Sequence, residues 1–314
     1  VIGARVSRDL LESLGIEPAL EDLVRGQFLD QVSFTRKPDF VFHHPLIRTV
    51  AYESQLKSDR IDLHRRLAAA METGDSGSAD ENAALIAEHL EAAGDLHAAY
   101  GWHMRAAAWA TYRDINAARL SWERAEEIAD ALRADDPNPT AMRIAPRTML
   151  CATAFRVNTD VGDKRFEELR ELCTAAGDKA SLVIAQAALI MEHAYRGRVR
   201  EASQLAAEVW TTVESVGDPT LTVGLLFAPM YAKIQTGHWG DVLGWTQHAI
   251  DLADGDPAKG NFMVGSPLAF ALAGRSIGRY GLGHTGWRDD LERSLAIACR
   301  ADPLSHAGIV TWTP

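Results

Sequence analysis

One feature limits the fold of this 314-residue chain more than any other: after residue 78, breaks in the helical pattern return about every 40 residues. Most breaks join a glycine, which ends one helix, to an aspartate, which caps the next. Their aspartates lie 40, 38 and 46 residues apart, in Gly177-Asp178, Gly217-Asp218-Pro219, Gly255-Asp256-Pro257 and Asp302-Pro303. A period near 40 that holds two helices predicts an all-α chain, an α-solenoid of antiparallel helix hairpins.

The segments between the breaks have helical periodicity. Lys179–Tyr195 is apolar almost all round, which predicts a helix packed between neighbours. Glu201–Gly217 carries a single apolar stripe at helical spacing, formed by Ala202, Leu205, Ala206, Val209, Trp210 and Val213. A second kind of break, Gly-x-apolar-x-x-Ala/Val, turns the chain within a repeat at Gly94, Gly197 and Gly237. The resulting pattern resembles tetratricopeptide repeats (TPR), with a longer period and an imperfect signature.

The first 75 residues differ from the rest because they include strand-like segments. The pattern predicts two short helices and a hairpin around Lys37-Pro38, at Ser7–Leu14, Pro18–Val24, and Gln31–Thr35 with Asp39–His43. This order is that of a partial winged-helix module. Two helices, Pro45–Ser54 and Asp59–Met71, and a polar linker at Thr73–Ser78 follow. We therefore expect one domain over residues 1–75 and a TPR-like domain over residues 76–314 that continues beyond the end of this sequence.

Charge and cysteine content exclude several classes of function. A net charge of −11 argues against direct nucleic-acid binding, which needs clustered lysine and arginine. The cysteines Cys151, Cys173 and Cys299 form no CxxC pair and are expected to be small core residues in a reducing compartment. The sequence contains neither an apolar run of membrane-spanning length nor a signal-peptide pattern. It predicts a cytoplasmic piece of a longer polypeptide, with no membrane contact.

A family resemblance rests on the segment Phe40-Val41-Phe42-His43-His44-Pro45-Leu46-Ile47-Arg48-Thr49-Val50-Ala51-Tyr52-Glu53-Ser54. It resembles the F-x-H-x-L-I-R-x-x-A-Y segment that closes the winged helix of bacterial STAND-type AAA-like ATPases. The similar proteins are actinobacterial multidomain adenylate or guanylate cyclases and large LuxR-type regulators. Leu63–Ala68 and Ile86–Gly94 continue the resemblance, which covers residues 1 to 130 and rests on periodicity beyond them.

The resemblance implies a role for one residue, His44. In STAND ATPases a winged-helix histidine approaches the ADP phosphates and holds the closed state, and His44 rather than His43 matches it. This contact would form only in the full-length parent, which is expected to bind ATP or ADP with magnesium. The alternative is that His44 simply caps the helix that begins at Pro45, and the sequence leaves both roles open.

No other motif indicates catalysis. Gly281–Gly286 matches G-x-G-x-x-G, but a helix precedes it where a dinucleotide site needs a strand, so we expect an inter-helix turn. The sequence contains no G-x-x-x-x-G-K-S/T phosphate loop. His89, His97 and His103 lack metal-site spacing. The acidic pairs Glu126-Glu127 and Asp289-Asp290 are expected on solvated faces, and most tryptophans, among them Trp102, Trp122, Trp210 and Trp245, in the core.

The sequence thus predicts a regulatory and scaffolding segment that is not itself an enzyme and holds no metal or cofactor. It would bind a protein or small effector on its helical repeats and couple that event to the ATPase domain of the same polypeptide. The output would be a nucleotide cyclase or a DNA-binding regulator, and self-association stays open. A free-standing TPR-like adaptor is the alternative, and an all-α enzyme has only the glycine-rich turn to support it.

Overall fold

A computed structural model describes residues 5–15, 17, 19–32, 39–73, 76–133, 136–157, 163–262 and 264–312. Within these residues the chain is helical apart from three short strands, which confirms the predicted all-α class. Many consecutive helices are joined by tight turns and pack against each other, among them α6 with α7, α7 with α8, and α11 with α12. The chain forms two compact units, unit 1 over Val1–Ala131 and unit 2 over Leu132–Pro314.

Unit 1 begins with a small antiparallel sheet and two short helices. They are β1 (Arg5–Ser7), α1 (Arg8–Ser13), α2 (Leu20–Arg25), β2 (Leu29–Gln31) and β3 (Asp39–Phe42). The strand order is β1-β3-β2, with Val6 opposite Phe40 and Asp30 opposite Val41. The core of this module consists of Leu11, Leu20, Leu29 and Phe40.

The hairpin prediction is confirmed in part. The second strand lies where the pattern predicts it, whereas the first occupies Leu29–Gln31. Residues 33–38, with the Lys37-Pro38 turn, lie outside the described part of the chain. The helix predicted after Ser7 is present as α1, which begins at Arg8, and Arg5–Ser7 also pairs as a strand with β3, which the pattern did not predict. Three residues are too few to display the alternation that identifies a strand.

Six helices complete unit 1: α3 (Pro45–Glu53), α4 (Lys57–Glu72), α5 (Ser76–Glu81), α6 (Ala83–Ala92), α7 (Leu96–Ala110) and α8 (Ile115–Ala131). Helices α4 to α8 share a core that contains Ile86 and Trp102 among buried alanines, whose small side chains let helix axes approach closely. The predicted linker is wrong over residues 76–78, because α5 begins at Ser76. Helices α4 and α6 lie on either side of the predicted boundary between residues 75 and 76, and they share one core. The boundary between a domain over residues 1–75 and a TPR-like domain stays a prediction.

The described residues of unit 2 form a 3₁₀ turn at Ala154–Val157 and ten helices. They are α9 (Pro139–Ala152), α10 (Asp163–Ala176), α11 (Lys179–Tyr195), α12 (Val199–Val216), α13 (Pro219–Leu225), α14 (Phe227–Gln235), α15 (Trp239–Ala253), α16 (Pro267–Gly281), α17 (Trp287–Ala301) and α18 (Pro303–Trp312). The predicted stripe of α12 is confirmed: Leu205 is partly buried and its other five members are buried. Of the cysteines, Cys151 and Cys173 are buried as predicted, whereas Cys299 is exposed because it follows the core-facing Ala298 on α17.

The turns follow the predicted glycine and aspartate pattern. Gly177, Gly197, Gly217 and Gly237 recur every 20 residues, each with φ near +70°, a conformation that favours glycine. Asp178, Asp218 and Asp302 each accept a hydrogen bond from a backbone N–H in the first turn of the next helix. The Asp256 break differs from the prediction, because ten residues separate it from α16, which Ser266 caps. Among the described residues, no helix is both long and apolar enough to cross a bilayer.

Candidate functional site

His44 occupies the N-cap position of α3. Its backbone is extended, with φ −139° and ψ 137°, and Pro45 begins the helix, where proline is favoured. The His44 Nδ1 atom accepts a hydrogen bond from the backbone N–H of Leu46 at 3.2 Å. The helix-capping role is therefore present. Because Nδ1 acts as the acceptor, a neutral ring carries its proton on Nε2, on the far side of this exposed imidazole.

His43 has a different environment. Its Nδ1 atom lies 3.0 Å from both carboxylate oxygens of Asp30 on β2. Nδ1 must be the donor in this pair, since a carboxylate only accepts. The two adjacent histidines thus differ in tautomer: His43 is tied to the sheet, and His44 caps the helix with a donor facing solvent.

Helix α3 buries none of its side chains. Leu46 and Val50 are spaced one turn apart and are 64% and 66% exposed. Two large apolar residues on one accessible helix face are unusual for a surface that meets only water. We refer to the surface formed by Leu46 and Val50, next to His44, as the α3 face.

A chain of hydrogen-bonded rings connects α3 to the helices that follow. The hydroxyl of Tyr52 on α3 lies 3.1 Å from Nε2 of His64 on α4. The His64 Nδ1 atom lies 3.1 Å from Nδ1 of His89 on α6, and both histidines are buried. Burial lowers the pKa of His64, and burial together with His64 lowers the pKa of His89 to about 4. These three residues form the histidine relay.

No pattern in the sequence predicts this relay. His64 and His89 lie 25 residues apart on different helices. The one-turn spacing of a metal site relates His89 only to residues three or four positions away. Among the described residues, the His89 Nε2 atom has no hydrogen-bond partner. No group of three or more histidine, cysteine or acidic side chains in the described part of the chain could hold a metal ion.

A groove of about 550 Å³ lies over α6, α7 and α8. Glu91 crosses it, with one carboxylate oxygen 2.5 Å from Nε2 of His103 and the other 2.5 Å from Nη2 of Arg124. The Glu91 carboxylate raises the pKa of Arg124. Leu120 lies in the same groove and is 61% exposed. This surface combines an ordered ion pair with an accessible apolar side chain, a composition suited to a peptide or protein ligand.

In unit 2 the glycine-rich segment is a turn between helices, as predicted. Helix α16 ends at Gly281, and Gly286, with φ +81°, precedes α17. The solvated-face prediction is wrong for Asp290, which is 2% exposed. Its carboxylate accepts hydrogen bonds from Arg275 at 2.5 and 2.9 Å and from Arg279 at 2.7 Å. Asp289 is exposed, as predicted.

The tryptophans largely fill gaps between helices, as expected. Trp102, Trp122 and Trp210 are buried, and Trp210 stacks on Trp245 with ring centroids 5.0 Å apart. These tryptophans therefore belong to the packing between helices, and Trp245 also faces the ammonium of Lys233.

The comparisons with known proteins give structural matches alone. No family model matches the chain, and no curated protein matches it. A similar solved structure is a signal transduction ATPase with numerous domains (STAND) protein with a tetratricopeptide repeat sensor, from Pyrococcus horikoshii. It is 12% identical with a TM-score of 0.39, over 98% of this chain and 48% of that one. The chain thus spans about half the length of that protein. The assignment of all-α hairpins rests on the helices described above and not on this match.

Proposed function

We propose that this chain is a non-catalytic regulatory segment of a multidomain signal-transduction ATPase. Residues 1–75 would form a winged-helix module against the nucleotide-binding domain, and the TPR-like helices would sense a protein or small effector. The strand order β1-β3-β2, with two helices between β1 and β2, supports the winged-helix assignment. ATP or ADP with magnesium would bind in the neighbouring domain, and this segment would hold no cofactor.

The observation that carries the proposal is the orientation of His44. Its Nδ1 atom caps α3, so the Nε2–H group is free to donate to an anion. The N-terminal end of a helix also attracts negative charge through the helix dipole. Capping and phosphate binding, which the sequence leaves as alternatives, are compatible in this geometry because they use opposite nitrogens of one ring. The α3 face would pack on the nucleotide-binding domain beside that contact.

The histidine relay supplies the proposed coupling. Tyr52 belongs to the same helix as the α3 face, whereas His64 and His89 belong to α4 and α6. If nucleotide exchange displaces α3, the Tyr52–His64 hydrogen bond would break. This change would act on α4 and α6, the first helices of the repeat region. The signal would leave through a nucleotide cyclase or a LuxR-type DNA-binding domain in the cytoplasm, without direct nucleic-acid or membrane contact by this segment.

The test uses the longer polypeptide that carries the proposed nucleotide-binding domain. His44→Asn keeps a good N-cap but removes the distal nitrogen. Loss of a charge-assisted hydrogen bond, about 1.5–3 kcal/mol, should weaken ADP binding roughly 10- to 150-fold and raise basal output. His43→Asn is the matched control and should leave ADP affinity unchanged. Wild-type affinity in His44→Asn, or an equal loss in both variants, would leave His44 with the capping role alone.

The absence of catalysis in the segment is tested separately. The purified 314-residue chain should neither hydrolyse ATP nor form cyclic nucleotides. Saturable turnover that a point substitution within the chain abolishes would overturn the proposal that this segment is not an enzyme.

The groove over α6, α7 and α8 favours a second candidate, a TPR-like adaptor that binds a peptide without any ATPase. Exposed Leu120 beside the Glu91–Arg124 pair is the observation in its favour. An adaptor would bind its partner with the same affinity in the presence and absence of ADP in the longer polypeptide. A sensor coupled to an ATPase would show a difference, because coupling between sites is reciprocal.

A further inference from the structure

A polar pocket in unit 2 has no part in the function proposed above. It has a volume of about 440 Å³ and lies between α12, α14 and the turn that leads to α15. Four of its lining residues follow one stripe of α12, and three come from the end of α14 and the turn: Arg200, Ser203, Gln204, Ala207, Lys233, Thr236 and His238. The lining contains two permanent cations, a histidine and no carboxylate, in a chain of net charge −11.

Lys233 is the most informative of these side chains. Its side chain is only 8% exposed, and its Nζ atom lies 3.1 Å from Oδ2 of Asp241, a carboxylate that is 46% exposed. The ammonium also faces the Trp245 ring, 5.4 Å from the centroid. An ammonium has three N–H donors, and among the described residues Asp241 is its one ionic partner. Burying a cation is costly unless its donors are satisfied, so Lys233 favours a further acceptor in the pocket.

The hydroxyl groups of the pocket also leave a donor in excess. The Thr236 Oγ1 atom lies 2.7 Å from Nδ1 of His238 and 3.2 Å from Oγ of Ser203. The single proton of the Thr236 hydroxyl can also go to the backbone oxygen of Ala232, 3.1 Å away; when it goes to Nδ1 of His238 instead, the proton of neutral His238 sits on Nε2. That Nε2–H group has no acceptor within this trio. An acceptor bound in the pocket would select this arrangement of protons.

Arg200 completes the set of donors. It is exposed and, within the described part of the chain, its guanidinium makes no ion pair or hydrogen bond. A planar guanidinium matches the two oxygens of a carboxylate or phosphate group. Arg200 follows the Gly197 turn, while Thr236 and His238 flank the Gly237 turn, so the pocket joins equivalent turns of neighbouring repeats.

We infer that this pocket binds a small oxyanion, the carboxylate or phosphate group of a soluble effector, through Arg200, Lys233 and the Ser203–Thr236–His238 hydroxyl and imidazole donors. The inference rests on the proposed function in one respect: the bound oxyanion would be the effector that the segment senses. Binding is measurable on the chain itself, so a failed titration overturns the site, while the ADP experiment above judges the proposed function independently.

The experiment is calorimetric titration of the 314-residue chain with inorganic phosphate and, separately, with succinate at constant ionic strength. Saturable binding of either anion at millimolar concentrations is expected, and the tighter ligand identifies the source of the oxyanion. Arg200→Gln should weaken binding at least about tenfold. Thr236→Val, which removes the hydroxyl but keeps the shape, should weaken it by a smaller factor.

Arg198→Gln is the matched control, because it removes the same charge two residues earlier, outside the pocket lining. It should leave the affinity within about twofold of wild type, since exposed charges beyond the pocket are screened by salt. An equal loss in Arg198→Gln and Arg200→Gln would mean that anions respond to general surface charge, which overturns the site. Absence of saturable binding by both anions overturns it as well.

Discussion

The two units bury polar groups in different ways. In unit 2, buried Asp290 receives two arginines, so its charge is neutralised inside a core of tightly packed apolar helices. In unit 1, the buried polar side chains include two histidines that lie in contact, next to a helix that buries nothing. A satisfied ion pair fixes one arrangement of its helices, whereas two neutral imidazoles depend on where their protons are. The Asp290 site of unit 2 should therefore lose stability when its charge is removed, whereas the contact between His64 and His89 in unit 1 should lose stability when the pH falls.

The largest effect is expected from Asp290→Asn. Removal of the carboxylate leaves Arg275 and Arg279 without their shared partner and should lower the free energy of unfolding by about 3–5 kcal/mol. Urea unfolding followed by circular dichroism measures it. Asp289→Asn, the exposed neighbour, should stay within about 0.5 kcal/mol of wild type. A loss below about 1 kcal/mol for Asp290→Asn would restore the solvated-face prediction made from the sequence.

The histidine relay gives the second prediction. Folding lowers the pKa of His89 from 6.5 to about 4, so the unfolded chain binds the proton more tightly. Its contribution is fully present above pH 6.5 and is lost as the pH falls from 6.5 to about 4, by on the order of 3 kcal/mol. Denaturant unfolding at a series of pH values should show a smaller loss over this range in His89→Gln.

The control for this prediction is His284→Gln, which removes an exposed histidine from unit 2. It should preserve the wild-type pH dependence. If His89→Gln also preserves it, His89 titrates in the folded chain as it does in the unfolded one, and the contrast between the units disappears.

Volume is the third way to test the contrast. In Gly224→Ala the new Cβ would lie 2.5 Å from the backbone oxygen of Gly260 and would also meet the Phe262 ring. This overpacking should cost about 1–3 kcal/mol. Gly244→Ala, on the open side of α15 with nothing within 4 Å, should instead stabilise the chain by about 0.5–1 kcal/mol. Thermal or urea unfolding measures the stability of both variants. Equal changes in the free energy of unfolding would mean that α13 is loosely packed against Gly260 and Phe262.

The smallest effect is expected at the α3 face. Leu46→Ser should change the free energy of unfolding by less than about 0.5 kcal/mol, since Leu46 is already 64% exposed. Leu67→Ala on α4, at a fully buried leucine, should cost about 2–5 kcal/mol. A loss above about 1 kcal/mol for Leu46→Ser, measured by urea unfolding, would show that α3 packs more firmly than its exposure indicates.

The parts of the fold that follow from local rules were predictable. The α12 stripe, the Pro45 start of α3 and the aspartate caps after the turn glycines depend on residues within one helical turn, so a single sequence contains them. Strand β1 was not predictable, because its three residues are held by pairing with a strand more than 30 positions away. Its conformation depends on tertiary contact rather than on its own pattern.

The candidate sites divide in the same way. His44 was identifiable from its motif, and its capping role from the helix start. The histidine relay and the oxyanion pocket were not, because they join residues 12 to 38 positions apart on separate helices and turns. Asp290 shows why charge alone misleads: the adjacent aspartates are equivalent in sequence, and only the azimuth of each on α17 decides which one meets Arg275.

The equal spacing of Gly177, Gly197, Gly217 and Gly237 has a mechanical consequence. Each interval between these glycines holds 20 residues, so two successive intervals hold about 40 residues of chain. Fully extended, that length spans on the order of 130–140 Å. Because packing is mainly between neighbouring helices, a force applied along the chain would peel hairpins off one after another and release slack in nearly uniform increments. Unit 2 would then act as an extensible tether with a built-in step size, set by where its glycines fall.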